Sequence, residues 1–271
     1  VPVVEMLRKD GVTSPSPVSP PPQRAPERPR VYSFAACGWL KLYYFGVAKR
    51  LQEEGFVEGA RFMGSSAGSM VSAGLGLGLD FDKIKEMQLG MVDRTHGRIG
   101  AAFNLKGYLQ EIMDDMLPHN AHDVLQNRCE ISITTLPFLR NKRVNIYRDN
   151  THLRQALLAS CCMTPFAGMP FRLDGEFVFD GGLSDWLSGG FLKGPKQRGS
   201  HVDAANVPPT ITITPFWFSR ADIRPSQYIP LWWSVYPPKR IDFEWVFELG
   251  YRDTGEWCER QRCQGRGGVD G

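Results

Sequence analysis

Two short segments carry residue types that can do chemistry together. Gly64-Ser65-Ser66-Ala67-Gly68 sits where the apolar stretch Ala60-Arg61-Phe62-Met63 gives way to a helix-compatible run opening Ser69-Met70-Val71. A serine on a tight strand-to-helix turn has strained backbone close to neighbouring elements, so it needs small residues two places to either side. Gly64 and Gly68 supply them around Ser66, whereas Ser65 and Ser69 lack that placement. The helix that follows aims its unpaired N–H groups and positive dipole end at an alkoxide forming on Ser66. Such a serine is a candidate nucleophile for acyl transfer. The second segment, Asp180-Gly181-Gly182, follows an apolar strand and exposes a carboxylate at a sheet end, where Ser66 is also expected. Each segment has a plainer reading: a flexible serine-glycine turn, and an Asx turn that opens a loop.

A hydroxyl nucleophile needs a base. A triad in the order Ser-Asp-His requires a histidine after Asp180, and His201 is the one that follows it. His201 falls in a polar loop over 192–209, rich in Gly, Pro and Lys, and reads as a solvated loop residue. His96, His119, His122 and His152 precede the aspartate and read as surface or packing positions.

The elements that must hold these residues follow from periodicity. A short buried strand is expected over 31–36, then a helix over 40–54 with Leu40, Tyr43, Tyr44, Val47 and Leu51 at helical spacing, stopped by Gly55. A strand over 60–63 and the helix after Ser66 repeat the unit, which argues for a parallel sheet covered by helices. Further helices are expected over 81–91, 105–116 and 153–162, and strands over 130–135, 143–147 and 210–214. Asp174-Gly175 splits 172–179 into a hairpin. A last amphipathic helix is expected over 241–250. The domain reading is a disordered Pro-rich leader over 1–30, one α/β domain over 31–254, and a polar flexible tail over 255–271.

Composition narrows the function classes. With 271 residues, 42% hydrophobic, the chain can bury a sizeable core. The formal net charge of +3 is small and, except in the two tails, the basic residues are interspersed with acids, so nothing resembles a nucleic-acid stripe. Six cysteines, Cys37, Cys129, Cys161, Cys162, Cys258 and Cys263, show no metal-type spacing and point to a reducing compartment without zinc. The charge-free stretches 62–79 and 155–171 are broken by Gly, Ser or Pro, so no transmembrane helix is read. A cytoplasmic location, or peripheral contact with a membrane or lipid-droplet surface, is expected.

Taken together, the chain resembles the patatin-like phospholipases, in particular their adiponutrin and adipose triglyceride lipase branch. Ser33-Phe34-Ala35-Ala36-Cys37-Gly38-Trp39-Leu40 with Gly46-Val47-Ala48 is similar to the family's glycine-rich oxyanion segment and first helix. Gly64 to Gly68 matches its Gly-x-Ser-x-Gly elbow. The run Leu157-Leu158-Ala159-Ser160-Cys161-Cys162, then Thr164-Pro165-Phe166 and Phe179-Asp180-Gly181-Gly182, resembles the segment carrying its catalytic aspartate. Thr214-Pro215-Phe216, Ala221-Asp222-Ile223 and Leu231-Trp232-Trp233 continue the likeness, which covers about residues 31–253. The resemblance implies a three-layer patatin-like fold and a Ser-Asp dyad of Ser66 and Asp180. It also implies an oxyanion hole at Cys37, Gly38 and Trp39, a lipid ester substrate, and no metal or organic cofactor. The family's loop reads Gly-x-Gly-x-x-Gly; here the stretch is Ala36-Cys37-Gly38-Trp39-Leu40-Lys41, which keeps the central glycine alone. A scaffold that binds lipid surfaces with little turnover is therefore the rival of a different class, and a His201-dependent esterase is the third reading.

The aromatic clusters Phe216-Trp217-Phe218 and Trp232-Trp233 with Tyr236 adjoin predicted elements and are expected to pack into the core, the alternative being a seat on lipid. Arg24, Arg28 and Arg30 make the leader basic, suited either to anionic lipid or to a solvated linker.

Overall fold

The computed structural model describes residues 30–95, 105–188, 190, 194 and 208–266. The leader up to residue 29, His96, His201 and most of the 192–209 loop lie outside the described residues.

The seven strands are β1 (Val31–Phe34), β2 (Arg61–Ser65), β3 (Cys129–Leu136), β4 (Arg140–Val144), β5 (Phe171–Leu173), β6 (Glu176–Phe179) and β7 (Thr210–Ile213). They form one sheet in the order β5-β6-β3-β2-β1-β7, with β4 also paired to β3. β7, β1, β2 and β3 are parallel neighbours, and β5 shares their direction because it is antiparallel to β6, itself antiparallel to β3. Five of the seven strands thus point one way, the mostly parallel sheet that the strand–helix alternation predicts. The helices are α1 (Lys41–Glu53), α2 (Ala67–Leu77), α3 (Phe81–Thr95), α4 (Leu105–Met116), α5 (Ala121–Leu125), α6 (Asn150–Ser160), α7 (Gly181–Leu187) and α8 (Arg240–Arg266).

The sheet has two chemically different faces. Tyr32, Phe34, Phe62, Cys129, Ile131 and Ile133 alternate onto one face and are buried with apolar side chains of α1, α2, α6 and α8. The opposite face carries Ser33, Ser65, Ser132 and Thr134, all buried, and α7 packs against it. That second face is held by hydrogen bonds. Thr134 accepts from the Ser184 N–H at 3.0 Å, and the Asn141 amide donates to Ser132 Oγ at 2.8 Å and Ser184 Oγ at 2.7 Å.

One register detail determines where the site forms. β3 pairs with β4 along one edge, Ile131 to Thr135. Its other edge is shared: Cys129 to Ser132 pair with β2, and Thr134 to Leu136 pair with β6 running the opposite way. The chain therefore leaves β2 at Ser65 and leaves β6 at Phe179 toward the same point, opposite Ser132 to Thr134.

Three expectations change. The strand over 143–147 shifts to Arg140–Val144, and Ile146, read as a strand position, is 62% exposed. The last helix does not stop at Gly250, nor does a flexible tail begin at 255, because α8 continues to Arg266. Gly250 is there for packing: a Cβ on it would lie 2.1 Å from the Tyr43 carbonyl oxygen, and one on Gly46 2.0 Å from that of Phe247. The two glycines let α1 and α8 cross at backbone distance, and Trp257 and Cys258 beyond them are buried. Third, the aromatic clusters divide. Phe216 is buried and Trp233 half-buried, but Trp217, Phe218, Trp232 and Tyr236 are exposed. The segment that carries them contains a short 3-10 helix, Leu231–Ser234, and its Phe216, Ser234 and Val235 line the cavity described below. Arg30, from the end of the basic leader, lays its guanidinium over the Phe56 ring at 4.5 Å. Among the described residues, no helix is long and apolar enough to cross a membrane.

Candidate active site

Ser66 joins β2 to α2 with φ 53° and ψ −129°, a conformation that costs a residue with a Cβ about 1–3 kcal/mol. Its surroundings enforce it. The Ser66 N–H donates to Ser160 Oγ at 2.8 Å, and Ser160 Oγ donates onward to the Ser132 carbonyl at 2.7 Å. The Ser66 carbonyl accepts from the Ser69 N–H at 2.9 Å and hydroxyl at 2.6 Å. Gly64 and Gly68 provide the clearance that the pattern predicts. A Cβ on Gly64 would stand 2.3 Å from the Gly68 carbonyl oxygen, and one on Gly68 would stand 2.5 Å from that of Phe34. Ser65 and Ala67 flank the turn as buried residues facing elsewhere than the cavity described below.

Asp180 ends β6 and caps α7: its Oδ1 accepts from the Gly182 N–H at 2.8 Å. Its own N–H donates to the Cys162 carbonyl at 3.2 Å, and its carbonyl accepts from the Thr134 hydroxyl at 2.6 Å. Gly181 and Gly182 are required by space, since a Cβ on Gly181 would lie 2.0 Å from the Ser132 carbonyl oxygen and one on Gly182 2.7 Å from Ala36 Cβ. Asp180 is buried, and among the described residues its Oδ2 has no hydrogen-bond partner of ordinary geometry. Burial pushes its carboxyl up to about 6, while the nearby Ser66 hydroxyl and the Gly182 N–H ease it down and the charge of Asp185 adds to the rise. Asp185 is itself buried, 3.7 Å from Arg143, which also pairs with Glu130 at 2.8 Å.

Ser66 and Asp180 line one cavity of about 420 Å³. Cys37, Gly38 and Gly182 line it as well, and the remainder of its wall includes Met163, Leu183, Trp186, Phe216 and Val235. Gly38 begins a short 3-10 helix, Gly38–Leu40, with φ 56°, and a Cβ on it would meet the Ser234 carbonyl oxygen at 2.0 Å. That contact explains why the central glycine of the loop remains. Among the described residues, no hydrogen bond engages the N–H of Cys37 or Gly38, and both residues line the cavity. Trp39 does not line the cavity. It is buried, with its ring 5.4 Å from the Lys41 ammonium. Lys41 is buried too, its pKa lowered by burial, and it faces a separate small cavity of about 40 Å³ walled by Phe45, Met70, Phe81 and Met113.

No described histidine lines the site. His152 is buried in α6 and faces Asp174 at 3.3 Å. The cysteines nearby are buried thiols: burial raises Cys37, and Cys161 to about 12, so neither is a thiolate near neutral pH. The positioning groups Ser160, Ser132, Thr134 and Ser184 carry no spacing signal. They act through contacts between residues far apart in sequence, and only the Leu157–Cys162 run hints at one of them.

The chain matches the family model described as patatin-like phospholipase over residues 32–187. A mouse 1-acylglycerol-3-phosphate O-acyltransferase is 29% identical over 200 residues, 71% of this chain and 45% of that protein. Human patatin-like phospholipase domain-containing protein 4 is 26% identical over 82% of this chain and 93% of its own length. A mouse omega-hydroxyceramide transacylase is 25% identical over 87% of this chain and 41% of its own length. The chain thus spans less than half of two of these three relatives.

Proposed function

The chain belongs to the patatin-like phospholipase family, and from that premise we propose that it cleaves fatty-acyl esters of lipids, with Ser66 as nucleophile and Asp180 as its base. The observation that carries the reading is a strained serine and a desolvated aspartate, whose carboxyl the Ser66 hydroxyl eases down, on one mainly apolar cavity. A carboxylate is a poor base for a hydroxyl in water, and burial that lifts Asp180 toward 6 while leaving it ionised near pH 7 makes it a better one. Ser66 Oγ attacks the acyl carbon while its proton passes to Asp180. The bond to the leaving alcohol then breaks and the alcohol takes that proton. Water, deprotonated by Asp180, attacks the acyl-enzyme and frees the fatty acid and Ser66. The N–H groups of Cys37 and Gly38, which line the cavity whereas Trp39 does not, stabilise the oxyanion; one such donor contributes about 3 kcal/mol. The biological role is lipid catabolism at a membrane or lipid-droplet surface.

Hydrolysis of a short-chain nitrophenyl ester by the wild type, Ser66→Ala and Asp180→Asn tests the dyad. Both variants are expected to lose activity, and full activity in either one removes that residue from the mechanism. Stoichiometric labelling of Ser66 by a fluorophosphonate separates an enzyme from a lipid-binding scaffold, and His201→Ala is expected to leave turnover intact. A second reading is favoured by relatives described as an acyltransferase and a transacylase: the same acyl-enzyme passes its acyl group to an alcohol. Product analysis with and without added 1-acylglycerol-3-phosphate decides between water and alcohol as acceptor.

A further inference from the structure

Among the described residues, seven of the seventeen exposed large apolar side chains fall within 217–236. That segment adjoins the cavity, whose wall includes Ser234. Its rings form a continuous path outward: Phe216, on the cavity wall, lies 6.1 Å from Phe218, which lies 5.8 Å from Trp217, itself 5.8 Å from Tyr228. On the other side Val235 lines the cavity and is 51% exposed, and Trp232, three residues earlier, is 59% exposed.

Charge distinguishes this face from a simple apolar patch. Arg220, Arg224 and Lys239 are exposed within or just beyond the segment. Its single acid, Asp222, is engaged by the N–H of Thr212 at 2.8 Å and its hydroxyl at 2.5 Å. Among the described residues, Arg220 and Lys239 have no ion-pair partner. Tryptophan and tyrosine favour the level of lipid headgroups, and arginine and lysine beside them favour anionic headgroups.

We infer that residues 217–239 form a docking face by which the protein sits on an anionic phospholipid surface, with the mouth of the Ser66 cavity turned toward the lipid. The orientation rests on the lipid-ester reading of the cavity; the docking does not. Leu231 and Trp232, on the 3-10 turn, enter the headgroup layer, and Arg220 and Lys239 pair with lipid phosphates or carboxylates.

Flotation of the protein with phosphatidylcholine vesicles, with and without phosphatidylserine, tests this. Binding is expected with phosphatidylserine, and Leu231→Ser/Trp232→Ser is expected to weaken it about tenfold or more. Arg220→Gln/Lys239→Gln is expected to remove most of the phosphatidylserine dependence, whereas Ile146→Ser, exposed elsewhere, leaves binding unchanged. Should a variant misfold, quenching of tryptophan fluorescence in the unmodified protein by bromine-labelled lipid gives the same answer. The inference is overturned if the wild type stays in solution or if the double serine variant floats as well as the wild type. It is also overturned if the wild type is a dimer that this variant dissociates and that does not float, in which case the face belongs to a second copy. Vesicle binding without hydrolysis of the soluble ester removes the lipase reading and leaves docking in place; hydrolysis without vesicle binding does the reverse.

Discussion

With its carboxyl raised to about 6 by burial, Asp180 is ionised above that pH, as the proposed base role requires, and protonated below it. Ester turnover is therefore expected to fall along an acid limb with an apparent pKa near 6, measurable as kcat/KM against pH. Stability has the opposite sign. A carboxyl whose folded pKa lies above its unfolded value stabilises the fold only where it is protonated, so its contribution is complete below about pH 4 and is lost as pH rises through 6. Asp180→Asn keeps the cap on the Gly182 N–H and removes the buried charge, so it is expected to gain up to about 3 kcal/mol near pH 7.5. Thermal melts should show that gain shrinking to nothing toward pH 4. Ser66 holds stored strain in the same site. Ser66→Gly is expected to melt above Ser66→Ala, by the equivalent of about 1 kcal/mol, because glycine adopts a φ of 53° without a clash. Both variants are expected to be inactive.

The elements position these residues through β3, whose one edge receives the ends of β2 and β6 from opposite directions. Gly181 marks how tight that junction is. Gly181→Ala places a methyl 2.0 Å from the Ser132 carbonyl and is expected to cost more than about 2 kcal/mol and most of the ester turnover. Gly90, in α3, has no atom within 4 Å of such a methyl, and Gly90→Ala is expected to stabilise by about 0.5–1 kcal/mol with turnover unchanged. Urea melts and the ester assay check both. The elbow, the Asp-Gly-Gly turn and the strand–helix alternation are legible in sequence because each rests on local backbone demands. Ser160, Thr134 and the meeting of β2 with β6 are not, because they depend on which strands become neighbours. Gly250 misleads for a related reason: a glycine that ends a helix and one that lets two helices touch look alike in one sequence. The Asp174-Gly175 hairpin was legible because its positive φ angles, 52° and 81°, demand that residue pair.

At the scale of the whole molecule, an apolar face of the sheet buries the core and a hydroxyl-rich face holds the aspartate, while the cavity takes in Ser66 and Asp180, which follow the ends of β2 and β6. The long α8 ties the first helix to this frame. Trp257 stacks edge-on against Phe56 at 5.5 Å, and a chain cut after Thr254 loses that contact. Such a truncation is expected to cost at least about 3–5 kcal/mol, enough to abolish a cooperative melt or soluble expression. A different cut has a different outcome. Phe138, in the turn between β3 and β4, is 75% exposed, and all of β1, β2 and β3 precede it while β4, β6 and Asp180 follow it. Dividing the chain there gives one fragment with Ser66, the proposed nucleophile, and another with Asp180, its proposed base, and each must find its partner along β3 before a shared site exists. Neither fragment alone is expected to hydrolyse an ester, so restored turnover on mixing becomes a direct reporter of strand pairing.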